Sequence, residues 1–419
     1  MEQLVIGLFL VFFTFEFVVE FVLNELNLRY VRASWSASKI PDFLAGRMTA
    51  EDYNKSVQYT LAKGKFQRFS EVYGRVLTLV VLFGGLLPFY DRWANYLAAA
   101  LPSLPYANGV IFCFGVGLFF SLASLPLDLY GTFGLEARFG FNKTTWRLYL
   151  ADKLKGLLLG VIIGAPFLMV VFWLMDNAGR YWWLWAFLFI AGFQFVMIIV
   201  YPILIAPWFN KFEPLKDGEL RDRILALAEK VGFKTSGIYS MDGSKRSGHS
   251  NAYFTGFGKA KRIVLFDTLL EQMTVEQGLA VLAHEMGHYK MRHIRRMLMV
   301  QLVFLLIGLF LLSLLLEYRP LYTAFGLSPS SHATVVLFSL ISGPATFYLN
   351  PLMNRLSRKH EYEADRFAAL TLGNGKAMEE ALINLTVKNL SNLTPHPWYS
   401  AYHYSHPTTA ERIHALRGL

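Results

Sequence analysis

The stretch Thr274–Leu316 reads TVEQGLAVLAHEMGHYKMRHIRRMLMVQLVFLLIGLFLLSLLL. It opens with Thr274-Val-Glu-Gln277, a hydroxyl followed three residues later by an amide, the pattern that caps the first turn of a helix. The helix that follows carries His284-Glu285-Met286-Gly287-His288. Beyond it, Met297–Leu316 is an apolar run of the roughly 20 residues needed to cross a hydrocarbon core. A polar helix bearing ionisable groups thus lies next to a membrane span, and fold and function both turn on that junction.

Composition supports the membrane reading. Of 419 residues, 54% are hydrophobic and only 17% charged, against about 25% charged in soluble domains. Aromatic residues make up 16%, which excludes a disordered chain. A single cysteine, Cys113 in an apolar run, excludes an internal disulfide framework and a cysteine-ligated zinc site. Seven spans are expected: Leu4–Leu23, Val76–Tyr90, Gly109–Leu125, Gly156–Leu174, Trp182–Ile205, Met297–Leu316 and Val335–Asn350. The first is read as a span and not a cleaved leader, because Glu2 replaces a basic start and no small-residue cleavage site follows.

The net charge of +10 is a topology signal. Segments 24–75, 126–155, 206–296 and 351–419 hold 9, 5, 15 and 8 Lys and Arg, 37 of the 40 in the chain. Arg92, Arg180 and Arg319 stand alone in the alternate connections. By the positive-inside rule the N-terminus lies outside and the C-terminus in the cytoplasm, and no nucleic-acid partner is expected. The chain then divides into helices one to five with their loops (1–205), a first cytoplasmic piece (206–296), helices six and seven (297–350) and a second cytoplasmic piece (351–419). Neither piece makes a comfortable domain alone, so one domain split around an inserted helical hairpin is expected. Within the first piece, a helix over Glu219–Val231 ending at Gly232, a strand at Ile238–Met241, and a hairpin of Asn251–Phe254 with Arg262–Phe266 about Gly256 and Gly258 precede the 274 helix.

Histidines four apart on a helix are offset by about 40°, so both rings of His284 and His288 address one locus. Zinc takes neutral imidazole nitrogens, and Glu285 is placed to reach a water there without being a ligand. This is the HExxH arrangement in which the glutamate is a general base. A third ligand is required. His293 lies about 140° around the helix from His288, and it is read as solvated or interfacial. Ser357-Arg-Lys-His-Glu361-Tyr-Glu-Ala-Asp365 is the better source. Glu361 and Asp365 share a face, so one carboxylate can bind metal and the other can back a ligand histidine; Glu363 is expected to point away. No GxSxG elbow and no intramembrane aspartate pair is present.

HExxH followed by ExxxD resembles the gluzincin proteases. SRKHEYEAD with seven spans, Phe139-Gly-Phe-Asn142, Pro207–Phe212, Ser250–Phe254 and His406-Pro407 with Arg412 are similar to the type I CaaX prenyl protease family, over nearly the whole chain. The resemblance implies a mainly α, polytopic fold: seven transmembrane helices enclosing a chamber, with a small α+β gluzincin-like protease domain split around helices six and seven. It implies one Zn2+ per chain held by His284, His288 and Glu361, Glu285 as catalytic base, and Asp365 behind the ligands. It further implies substrate contacts at Asn251, Ala252, Tyr253 and Arg412, with His406 (or Arg412) steadying the oxyanion. The partner it implies is a peptide or protein, isoprenylated at a C-terminal cysteine, beside a lipid bilayer.

Two other activities stay open on the same residues: a membrane quality-control zinc protease of the heat-shock-associated type, and, from another class, an ion-coupled transporter. Glu16 and Glu20 share a face of the first span and either line a cavity or reach the headgroups. Gly287 either admits a close neighbour or is merely tolerated. The short connection between spans six and seven favours a bacterial inner membrane over the endoplasmic reticulum.

Overall fold

The computed structural model describes residues 1–37, 40–256 and 261–419. It is mainly helical, with six helices long and apolar enough to cross a membrane and a seventh candidate in a bent pair. The six begin at Glu2, Ala107, Trp146, Gly179, His293 and Ser331. Their apolar side chains face outward: Leu154, Leu157, Leu158, Val161 and Ile162 are all exposed on one helix. Such a surface is stable only against lipid or another apolar partner.

The expected second span is not straight. Ala50–Phe83 and Leu86–Ala98 meet at 62°, with the break at Gly84-Gly85, where Gly85 takes a φ of 76° that favours glycine. The expected seventh span lies in Ser331–Thr346, which passes through one 3-10 turn, Phe347–Leu349, into the long helix Asn350–Leu372. The span therefore delivers the second polar piece without a loop. Inside the bundle the two acids of the first helix turn inward. Glu16 pairs with Arg75 at 3.2 Å, and Glu20 lies 3.2 Å from His403. Arg75 also covers the rings of Phe13 and Phe17. Of the two readings for these acids, the interior one holds.

The polar pieces form a four-stranded sheet, β1 (Phe212–Pro214), β2 (Gly237–Met241), β3 (Ala252–Thr255) and β4 (Arg262–Phe266), in the order β1-β2-β4-β3. The β3 and β4 strands pair antiparallel as expected, with Ala252 opposite Leu265; Gly258 of the expected turn lies outside the described residues. The amphipathic helix Glu219–Lys230 stops before Gly232, whose φ is 66°. One core joins both pieces: Ile224, Ile263, Leu282 and Met286 from the first, Ala368, Ala381 and Ile413 from the second. A third stretch belongs to it, through Val31, Leu44, Tyr53 and Val57 from the loop and helix ends after the first span.

The two helices that carry the site are pressed together. A Cβ on Gly287 would lie 3.2 Å from the Ala364 backbone and 3.2 Å from Phe367 Cβ, so the glycine serves a close approach. Replacing it with valine should force the helices apart. We expect Gly287→Val to lower stability by about 1–3 kcal/mol, read by thermal unfolding in detergent, and to lower metal content. Unchanged values for both would show that the spacing is not enforced here.

Candidate active site

The HExxH helix, Val275–Lys290, begins with the expected capping box: Thr274 accepts from the Gln277 backbone and Gln277 reaches back to Thr274. One side of it is buried through Leu279, Leu282, Ala283 and Met286, which fixes the rotation that aims His284 and His288 the other way. Asn350–Leu372 crosses it with Ala364 and Ala368 at the contact and with Glu361 and Asp365 buried on the same face. Small residues at the crossing let the carboxylates reach the histidines.

The two imidazoles face each other through Nε2 atoms 3.1 Å apart. Glu361 closes the group, with Oε2 3.4 Å from His284 Nε2 and Oε1 3.2 Å from His288 Nε2. These three side chains offer ligand atoms all within 4.8 Å of one another, and no other such group occurs among the described residues. On the far side of His284, Nδ1–H donates to Asp365 Oδ1 at 2.8 Å. Arg412 grips the same carboxylate through Nε (2.7 Å) and Nη2 (2.6 Å), and its Nη1 lies 3.5 Å from Glu361.

Electrostatics point to a missing positive charge. Burial alone would lower the His284 pKa, but the hydrogen bond to Asp365 and the nearby Glu361 carboxylate override it and hold the imidazole up to about 9. Burial would raise Glu361, yet the histidines hold it far below the usual carboxylate range. Glu361 Oε2 is buried with no hydrogen-bond partner, and the two Nε2 atoms converge beside it. A divalent cation satisfies all three, so the donor set fits a metal of the kind that imidazole and carboxylate bind.

Glu285 lines the same cavity, about 300 Å³, with Ser250, Asn251, Ala252, His406 and Arg412. Burial raises its carboxyl pKa, as suits a base. His406 Nε2 lies 3.4 Å from Glu361 Oε1 while the ring stays open to solvent. Asn251 accepts from the Ala252 backbone and is exposed, and β3 is one of the sheet's two edge strands. Tyr253 is not brought to the cavity. Strand alternation turns its ring to the opposite face, against Phe266 and beside Tyr201 and Tyr239.

One expectation fails. His293 is buried, not solvated, and it meets Glu363, on the side of the unbroken helix Asn350–Leu372 turned from Glu361. His293 Nδ1 is 3.0 Å from His288 Nδ1, and its Nε2 is 2.9 Å from Glu363. The helix stops at Lys290 and Arg292 takes φ 60°, so a new helix starts at His293 and the extrapolated rotation no longer applies. The apolar wall of Leu269, Val281, Met378 and Leu382 also went unseen; the only sequence signal was the amphipathic run from Lys376.

Residues 30–211 match the family model "CAAX prenyl protease N-terminal, five membrane helices", and residues 214–419 match "Peptidase family M48". CAAX prenyl protease 1 of Saccharomyces cerevisiae is 40% identical, over 91% of this chain and 89% of its own. The homolog from Arabidopsis thaliana is 37% identical over 99% and 97%, and that from Homo sapiens 32% over 99% and 96%. This chain belongs to peptidase family M48. It is a multi-pass membrane metalloprotease. The crystal structure of S. mikatae Ste24p superposes with a TM-score of 0.88 at 35% identity, covering 97% of this chain and 98% of that one. These relatives of the M48 chain are eukaryotic, which argues against the bacterial membrane favoured from loop length.

Asp365 lies under His284 with Arg412 holding it from below. Asp365→Asn should weaken metal binding by roughly 10–100-fold, measured by chelator competition, with the protein still folded. Wild-type affinity in that variant would remove Asp365 from the metal's support.

Proposed function

We propose that the protein is an endopeptidase that holds one Zn2+ through His284, His288 and Glu361 and cleaves near the C-terminus of a prenylated CaaX-type substrate. The observation that carries the chemistry is the convergence of both Nε2 atoms and the orphaned Glu361 Oε2 on one point, with Glu285 at its rim. Zinc bound there supplies Lewis acidity, which polarises the scissile carbonyl and acidifies a water. Glu285 accepts the proton of the attacking water and returns it to the leaving amine. His406, with Nε2 directed at the cluster and one side open to solvent, is positioned to donate to the developing oxyanion.

Substrate binding follows from the cavity walls. The free edge of β3, reached through Ser250–Ala252, offers backbone groups to an extended peptide. Leu269, Val281, Met378, Leu382 and Leu385 form an apolar wall suited to the aliphatic residues that follow the cysteine in a CaaX sequence. Beyond His406 a larger cavity, about 700 Å³, runs to Asn27, Tyr59, Gly64 and Gln67 on the membrane helices, a route for a chain tethered to lipid. The names of the relatives support the substrate class. The Lys and Arg distribution supports a cytoplasmic location for this domain, with the N-terminus outside.

The purified Glu285→Ala protein should retain its zinc and lose cleavage of a farnesylated CaaX peptide by about 10²–10⁴-fold. Full activity in that variant overturns the base assignment. Equal cleavage of the farnesylated peptide and an unrelated peptide overturns the substrate class alone.

A further inference from the structure

The two ligand histidines are supported differently. His284 leans directly on Asp365. His288 has no carboxylate at its Nδ1; it has a second imidazole, His293, at 3.0 Å, and Glu363 lies 2.9 Å beyond that ring. His293 is held on its face by His360, stacked at 4.0 Å and 13° between planes, and is 2% exposed. Arg292 adopts the left-handed region (φ 60°) at the junction that turns His293 under the cluster, a conformation that L residues other than glycine seldom take.

The direction of the two hydrogen bonds is decided by their ends. Glu363 is an acceptor, with Arg296 and Lys359 within 4 Å favouring its charge, so His293 Nε2 carries the proton. A neutral His293 then offers a lone pair at Nδ1, and His288 must donate from Nδ1. The opposite order would set a bare Nε2 against a carboxylate and would put a proton on His288 Nε2, where it faces His284 Nε2 and Glu361. Only one arrangement satisfies both ends, and it leaves His288 Nε2 free.

We propose that His293 and Glu363 form a positioning relay for His288, fixing the ring orientation and tautomer that a metal ligand needs, where Asp365 does so directly for His284. This rests on the metal site proposed above. The relay predicts that the acceptor at His293 Nδ1 matters more than the ring itself. Asparagine puts its Oδ1 near that Nδ1, whereas alanine leaves His288 Nδ1–H buried without a partner.

The test is zinc affinity by chelator competition on the full-length protein in detergent, with thermal unfolding of the metal-free form as the check on fold. His293→Ala should bind zinc roughly 10–100-fold more weakly, His293→Asn should recover most of that loss, and Glu363→Gln should lose several-fold. In cobalt-substituted protein the visible ligand-field bands should shift in His293→Ala and return towards wild type in His293→Asn. Wild-type zinc affinity in His293→Ala overturns the relay, as does an asparagine variant as weak as alanine. Should His293→Ala fail to fold, wild-type affinity in Glu363→Ala overturns it instead. A wild-type protein that binds no zinc would sink the metal reading itself; a binding wild type with insensitive variants would sink only the relay.

Discussion

Two buried carboxylates, Glu361 and Asp365, both facing the one guanidinium of Arg412, set the terms for the rest of this protein. Glu361 and Asp365 carry two negative charges, and Arg412 returns one. Burying an uncompensated charge costs several kcal/mol, so the cluster is short of one positive charge at the point where His284 and His288 converge. A proton on His284 supplies it, which is why that imidazole is held so basic. A divalent cation there would take the proton's place and bring one charge more, which an ionised Glu285 at the rim balances. Metal binding and the stability of this crossing are therefore coupled, as expected where ligands come from separate segments.

Everything that brings Glu361 to the histidines has to be rigid, and the structure shows how a membrane protein achieves that with a small domain. The carboxylate helix is the continuation of the last span, and the HExxH helix is separated from the sixth span by a single tight break at Arg292. Both ends of the inserted hairpin thus feed straight into the site. The shared core takes a third contribution from Leu44, Tyr53 and Val57, so the first membrane segments also brace the domain. The fold has no need of a large soluble core, because the spans fix the relative positions of the helices that matter.

What the sequence disclosed and what it hid separate by range. Pairs four apart on one helix, His284 with His288 and Glu361 with Asp365, depend on local geometry alone and were legible. So were the capping box at Thr274, the stop at Gly232 and the β3–β4 pairing. Joining the two helices was not a local property; family resemblance supplied it. His293 was misplaced because a helical rotation was carried across Arg292, a non-glycine residue with positive φ that pattern gives no reason to expect, and its contact with Glu363 was hidden with it. Tyr253 was drawn in with its neighbours, although alternation along a strand sends it to the opposite face. The bend at Gly84-Gly85 was hidden by an apolar run whose hydropathy is the same for a straight or a broken helix.

The position of His406 shows why the membrane helices belong to the active site and do not merely anchor it. The segment before it is pinned on two sides. Asn27 Oδ1, on the first helix, accepts from the His396 backbone at 3.1 Å and from Asn392 Nδ2 at 3.3 Å, and Glu20 lies against His403. From the carboxylate helix, Arg358 donates to the carbonyls of Ala401 and Tyr404, and Asn354 to that of Tyr402. His406 follows two residues later, its backbone course already determined, and can keep an exposed ring aimed at Glu361 without being buried itself. Exposure leaves room for a peptide carbonyl between ring and metal cluster, while the distance to the cluster is held by contacts on either side. The side chain proposed to face the oxyanion is thereby positioned by the first helix, and a protease domain separated from those helices would lose that constraint even with His284, His288 and Glu361 in place.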